Sequence, residues 1–314
     1  MVAERKLMVL TGTPLTTLLD VYAYASLTNP DAYISKSIFE ALHVKERDMF
    51  NNITAYKNED LLNENFLYNS ARVFRRDVDR ALPNIVYEPI VYELEKSHKK
   101  AYDDLVNNHL FEYKDQKIGA DTIQKLHIIL QQIIVGYEYF FEDEKFRREA
   151  HKKVKAFELI EQIMSELDGR KLIIFAYYQN TIQALKEFCK PWNAVEIYGK
   201  LTAKSKMKNL DSFVNNKDCQ ILIGQPQSMG SGLDSLKTVC SDALFIELPM
   251  IPNDLIQAVG RIDRNGQTET CRVRLACAKG TLQMRRQELL LAKDASANRI
   301  QYSYKDLRDW LFGE

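Results

Sequence analysis

Lys171-Leu-Ile-Ile-Phe-Ala176 is a short, almost wholly apolar run, and Leu172 to Ala176 reads as a strand. Working outward, helix Ala156 to Leu167 precedes it, and helix Thr181 to Cys189 leads on to strand Val195 to Tyr198. Helix Ser205 to Val214 leads to strand Gln220 to Gly224, strand Ala243 to Leu248 follows, and strand Arg272 to Ala276 closes the series. Short apolar strands joined mostly through helices predict an α/β domain, a parallel sheet with helices on both faces.

Upstream the pattern changes. Lys6-Leu-Met-Val-Leu10 reads as a short buried strand, and Thr11-Gly-Thr-Pro14 opens a helix running to about Leu27. Thr13 suits its cap and Pro14 its first position. A strand so close to Met1, with nothing earlier to pair with, predicts the edge of a sheet whose remainder lies elsewhere. From Asn29 to about Ala150 the chain is mostly helical and charged, apart from a β-rich run at Asn84 to Tyr92 and a long amphipathic stretch from Glu93. The basic cluster Lys145 to Lys155 follows the acidic Glu142-Asp-Glu144, so an exposed helix of mixed charge is the preferred reading over a DNA-binding patch. The expected organisation is therefore three parts, residues 1–28, 29–150 and 151–314.

With 314 residues, the chain is long enough for one large domain or two ordinary ones. Its 43 basic and 43 acidic side chains cancel, so any nucleic-acid binding has to be local and not spread over the whole surface. Cys189, Cys219, Cys240, Cys271 and Cys277 show no C-x-x-C spacing, which points to neither zinc nor a disulfide framework and fits a reducing, intracellular and cytoplasmic setting. No apolar run of about 18 residues suggests a membrane span.

Gln257-Ala-Val-Gly-Arg-Ile-Asp-Arg-Asn-Gly-Gln267 is the densest motif. On a helix, Gln257, Arg261 and Arg264 fall at i, i+4 and i+7 and project from one face. Standing alone, that face would be an ordinary solvated stripe. Two permanently charged guanidiniums beside an amide are also well suited to reading a polyphosphate.

The motif does not stand alone. LTGTP at Leu10 to Pro14, RRDV at Arg75 to Val78 with Leu82-Pro83, KLIIF at Lys171 to Phe175, ILIGQPQSMGSGLD at Ile221 to Asp234 and QAVGRIDRNGQ at Gln257 to Gln267 follow in order. The series resembles the superfamily 2 helicases and translocases of the Swi/Snf-like type, over nearly the whole chain. LTGTP looks like their motif III, KLIIF their motif IV, GSGLD their motif V and the arginine run their motif VI. SMGSGLD and Lys279-Gly-Thr281 look most like bacteriophage and bacterial forms.

The resemblance implies a motor that hydrolyses ATP with Mg²⁺ between two RecA-like lobes, of which this chain carries the second. It implies that Arg261 and Arg264 are the arginine fingers, with Gln257 orienting them. It places Gly230, Gly232 and Asp234 at the nucleotide and Thr11, Gly12 and Thr13 in the coupling motif. For DNA it implies contacts to the phosphates of one strand through Tyr178, Gln179, Lys200, Lys204, Ser228 and Ser231.

Other parts of the motor are missing from the sequence. No G-x-x-x-x-G-K-[ST] occurs, since Gly199-Lys200 is followed by leucine and lacks the upstream glycine. Asp143-Glu144 imitates an acidic magnesium motif but lies in a charged helical segment, with no strand to position it. The phosphate loop and metal site are therefore expected on a lobe 1 carried by another chain, and this chain is expected to be inactive alone. The alternative is a non-enzymatic regulator that binds DNA or a partner through the same fold. Keeping both arginines, both glycines and Gln257 favours the motor, because a binding module has no need of a γ-phosphate reader.

Overall fold

The computed structural model describes residues 8–9, 19–47, 53–68, 71, 83–115, 120–136, 154–229, 234–250 and 252–291. Two compact units are present, Met1–Arg80 with Lys293–Glu314, and Ala81–Ala292.

The first unit holds α1 (Asp20–Thr28), α2 (Lys36–His43), the antiparallel pair β1 (Val44–Arg47) and β2 (Ile53–Tyr56), and α3 (Glu59–Leu67). Its small core is Val21, Ala25, Tyr33, Phe39 and Leu62. The buried His43 ring lies 2.8 Å from the Tyr33 hydroxyl through Nε2, and that hydroxyl accepts from Asn65 Nδ2 at 3.0 Å. Burial lowers the His43 pKa and so favours the neutral ring. The hairpin was not legible in the sequence, because VKER and ITAY are short and β1 leaves most of its residues exposed. Met8 and Val9, the described part of the strand read at Lys6 to Leu10, belong to no strand and are 79% and 41% exposed. A lone strand gains neither hydrogen bonds nor burial without a neighbour to pair with. Thr11 to Pro14, Arg75 to Val78 and Asp143-Glu144 lie outside the described residues.

The second unit is built on a six-stranded sheet. In chain order come β3 (Ile85–Tyr92), α4 (Lys96–Asp115), α5 (Ala120–Val135), α6 (Lys155–Leu167), β4 (Leu172–Phe175), α7 (Gln179–Phe188), β5 (Val195–Ile197) and α8 (Ala203–Asn215). Then follow β6 (Ile221–Gly224), a 3₁₀ turn at Pro226–Ser228, another at Asp234–Thr238, β7 (Asp242–Phe245), α9 (Pro252–Val259), β8 (Cys271–Ala278) and α10 (Leu282–Leu291). The spatial order is β3-β8-β7-β4-β6-β5, and every neighbouring pair is parallel. This is the parallel sheet that the alternation predicts. All residues of β4, β6 and β7 are buried, as the inner strands of a sheet covered on both faces must be.

The expected boundary at residue 151 falls inside this unit. The run at Asn84 to Tyr92 pairs with β8 without a break from Ile85 against Cys271 to Tyr92 against Ala278. Cys271 N donates to Asn84 O and Lys279 N to Tyr92 O, so even-numbered residues of β3 turn their backbone to β8. Pro89 therefore faces outward at the sheet edge, where a missing N–H costs no ladder bond and discourages pairing with another chain. Ahead of β4, α6 buries Phe157, Ile160, Ile163, Met164 and Leu167 on one stripe, each contributing about 1.5–3 kcal/mol. It ends where Asp168 (φ 45°) and Gly169 (φ 86°) turn left-handed.

The amino edge of the sheet is tied by charge. Asp242, 1% exposed, accepts from Arg274 Nη1 at 2.8 Å and from Arg170 Nη1 at 3.0 Å. Arg274, 3% exposed, also lies 3.5 Å from Glu88 of β3 and from Glu166 of α6, so one guanidinium joins β7, β3 and α6. Removing one partner from such a pair leaves a buried charge without its counterion. Arg274→Met should therefore cost about 3–5 kcal/mol in urea unfolding. The double variant Asp242→Leu/Arg274→Met should recover most of that loss. If the single variant lost less than 1 kcal/mol, roughly the scale of an exposed pair, the assignment would fail.

Candidate functional site

The loops leaving the carboxyl ends of β4, β5 and β6 meet at one side chain. Gln225, the first residue after β6, donates from Nε2 to Tyr177 O at 2.9 Å. Its Oε1 accepts from Gly199 N and from Ser228 Oγ, both at 3.1 Å. Four of the sequence-predicted DNA residues are thereby gathered on one edge: Tyr178 and Gln179 after β4, Lys200 after β5 and Ser228 after β6. Lys204 lies in the first turn of α8, capped by Thr202, whose Oγ1 accepts from Ser205 N at 3.2 Å. Lys200 and Lys204 are exposed; Tyr178, Gln179 and Ser228 are half-buried. Ser231 lies outside the described residues, as do Gly230 and Gly232.

The chain crosses over β4 between β6 and β7, so the carboxyl ends of β4 and β7 flank the switch point where open α/β sheets commonly take a ligand. Glu247 fills it. This wholly buried carboxyl accepts from Tyr177 N, from Tyr178 N at 3.0 Å and from Thr181 Oγ1 at 2.6 Å, serving as the anion at the amino end of α7. Burial outweighs those three donors and pushes its pKa up to about 7. Neither Glu247 nor Gln225 stood out in the sequence. The only sign was a polar residue directly behind an apolar strand.

Gly224, the last residue of β6, has a stricter role. A Cβ there would sit 1.9 Å from Met229 Sδ, and Met229 is wholly buried. The glycine lets the segment leading to Gly230 fold back against its own strand.

The arginine motif is arranged differently from the sequence expectation. α9 ends at Val259, so Gln257 is helical while Arg261 and Arg264 sit in the turn that follows, and the three do not share one helical stripe. After Gly260 the bonds shorten: Arg261 N donates to Ala258 O and Ile262 N to Val259 O. Buried Ile262 anchors this turn, and Gly266 (φ 98°) reverses the chain in a conformation that favours glycine. Gln267 closes it. Its buried amide donates to Ile262 O and Cys240 O, both at 3.1 Å, and accepts from Thr268 N and Glu269 N at 3.0 Å. Arg261 is half-buried, while Gln257 and Arg264 are exposed.

The segments flanking the two motifs touch at two places. A Cβ on Gly266 would lie 3.5 Å from Lys237 Cε, so the 3₁₀ turn begun by Asp234 packs on the end of the arginine turn. At the other end of α9, Gln227 Nε2 reaches Asp254 Oδ2 at 3.5 Å. A cleft of about 400 Å³ opens at the amino edge beside Gly266, lined by Arg170, Lys171, Lys237, Ser241 and Glu269 among others. The residues read from the sequence as DNA contacts are thus gathered at the carboxyl edge, while the arginine turn ends at the amino edge.

Residues 155–266 match the family model described as helicase conserved C-terminal domain. Over those residues the chain is similar to a helicase C-terminal domain. The relatives it matches include a chromatin-remodeling factor, a DNA annealing helicase and an ATP-dependent helicase. The chain is 24% identical over 307 residues to the CHD3-type chromatin-remodeling factor CHR7 of Arabidopsis thaliana, covering 91% of this chain and 24% of that protein. It is 23% identical over 286 residues to an ATP-dependent helicase of Mycoplasma genitalium, covering 88% of this chain and 26% of the other. The chain thus spans about a quarter of the length of these two relatives. Among solved structures, the Sulfolobus solfataricus SWI2/SNF2 ATPase core in complex with dsDNA superposes with a TM-score of 0.58 at 19% identity, covering 90% of this chain and 61% of that one. The C-terminal part of the Fun30 ATPase domain gives 0.56 at 16% identity, covering 74% and 99%. At such identities the structural likeness establishes the fold of the lobe.

Glu247 makes that fold sensitive to pH. Its folded pKa lies above the ordinary 4.5, so its contribution is fully present below pH 4.5 and is lost as pH rises through about 7. Glu247→Gln keeps a carbonyl for the two amides and turns an NH₂ to the Thr181 hydroxyl, which accepts as readily as it donates. In urea unfolding the variant should match the parent at pH 5 and exceed it at pH 8 by up to about 3 kcal/mol. A difference that does not change with pH would show that Glu247 is ionised throughout.

Proposed function

We propose that this lobe works as the C-terminal half of a DNA-dependent ATPase, a helicase or translocase. In this reading it supplies Arg261 and Arg264 to the phosphates of ATP and grips one DNA strand through Tyr178, Gln179, Lys200, Lys204, Ser228 and Ser231. The observation that carries the DNA part is the meeting of three loops at Gln225, which puts hydroxyl, amide and ammonium groups on one edge. Such groups hold phosphates without reading sequence. The relatives named for ATP-dependent helicase activity and for dsDNA binding support the same reading.

Phosphates and Mg²⁺ are held, in this proposal, by a lobe 1 on a partner chain that carries the Walker motif and the acidic motif II. The 314 residues contain no G-x-x-x-x-G-K-[ST]. Bound ATP supplies the phosphoryl group whose transfer to water drives the motor. The residues of this chain supply charge and position. Arg261 and Arg264 are permanent cations on a turn locked by Gln267, so they neutralise charge without having to be ordered at the moment of transfer. The reading assigns Gln257 to orienting the two arginines and Gly230, Gly232 and Asp234 to the nucleotide. Thr11, Gly12 and Thr13 link the two lobes.

The purified chain should show no DNA-stimulated ATP hydrolysis. Adding the lobe-1 partner should restore it, and Arg261→Ala or Arg264→Ala should then lower turnover by roughly 10²-fold or more with duplex affinity nearly unchanged. Near-normal turnover in both variants would remove the arginine assignment. A chain that binds duplex but never supports hydrolysis with any lobe-1 partner would instead favour a regulator that binds DNA through this fold.

A further inference from the structure

We propose that Gln225 is a positioning residue, the single clamp that holds the three DNA-contacting loops of this lobe in one arrangement; this rests on the DNA reading above. The side chain ties two other loops to its own by three hydrogen bonds: Tyr177 O accepts, Gly199 N donates, and within its own loop Ser228 Oγ donates. Amide chemistry suits the task, because one end donates while the other accepts twice. The backbone of Gln225 is fixed as well. Its N–H donates to Ile197 O at 2.9 Å, and its carbonyl accepts from Ser228 N at 2.8 Å and Met229 N at 3.1 Å.

Each tie lies next to a group assigned to the track. Tyr177 precedes Tyr178 and Gln179, Gly199 precedes Lys200, and Ser228 is itself one of the set. The Tyr177 peptide is held from both sides, its N–H by Glu247 and its carbonyl by Gln225. Gln225 touches no phosphate in this proposal; it sets the spacing between the groups that do. Three phosphate contacts on separate loops are worth more than their sum only if the loops are ordered before the strand arrives.

The test uses the full chain, a fluorescein-labelled DNA duplex and two readouts. Gln225→Leu should speed amide exchange at Tyr178 and Gly199 and weaken duplex binding about fivefold, the scale of a lost hydrogen bond. Lys200→Ala should weaken binding too, and Gln225→Leu/Lys200→Ala should lose less than the product of the two, because both act on one loop. Gln225→Glu keeps the acceptor for Gly199 and Ser228 but turns an oxygen toward Tyr177 O. It should speed exchange at Tyr178 and leave Gly199 protected, which serves as the test if the leucine variant does not fold. If Lys200→Ala and Ser228→Ala weaken binding while Gln225→Leu does not, the clamp is wrong and the DNA reading stands. Losses that multiply in full would likewise overturn the clamp. If the parent chain binds no duplex, the DNA reading falls and the clamp falls with it.

Discussion

A parallel sheet buried on both faces stops making hydrogen bonds at its carboxyl edge, yet the backbone there is still partly out of water. Each N–H and C=O leaving a strand needs a partner, and a buried one without it costs about 1–3 kcal/mol. In this lobe two side chains do most of that work. Gln225 serves the ends of β4, β5 and β6, and Glu247 joins the end of β7 to the start of α7. The loops carrying the candidate DNA residues hang from those two groups. The proposed DNA contact at this edge would therefore depend on side chains that make none of it directly.

The opposite edge solves a different problem. β3 lies far from β8 in sequence, and closing so long a loop is entropically costly. Eight residues of unbroken register and the Arg274 cluster offset that cost at the strand's own position. The buried Asp242–Arg274 pair need not stabilise more than an apolar pair would. It does fix which strands are neighbours, since a slip of one residue would carry Glu88 to the other face of the sheet.

The α/β architecture was legible in the sequence because β4 and β6 are apolar throughout and the helices between them are amphipathic. The strand β3 was visible as a β-rich run, but its place in the sheet was not. Alternating exposure in a strand reports an edge without naming its partner. The arginine helix was misjudged for a local reason. A spacing of four and three residues fits a helix, but Gly260, Asp263, Asn265 and Gly266 weaken one in the same stretch. Buried Ile262 and Gln267 then decide for a turn. Among the candidate site residues, the places of the exposed lysines and the strand-end tyrosine beyond β4 and β5 followed from sequence order. Gln225 and Glu247 could not, because a residue that satisfies distant backbone groups carries no periodic mark.

A turn is the more useful support for Arg261 and Arg264. Guanidiniums on an exposed helix end share the fraying of that end. Here Gln267 makes two bonds forward and two back, and Lys237 packs on Gly266, so the turn is braced by the sheet and by the segment after motif V. The same segment's upstream flank touches Asp254 at the start of α9 through Gln227. α9 is thus held at one end by the residues next to Ser228 and delivers the arginine turn at the other. Its eight residues span about 12 Å, short enough to move as one rigid piece. In the proposed reading, a shift of the loop that meets DNA would reach the arginines through that helix and through the Lys237 contact. The lobe joins its two proposed surfaces through short elements on both sides of the arginine turn.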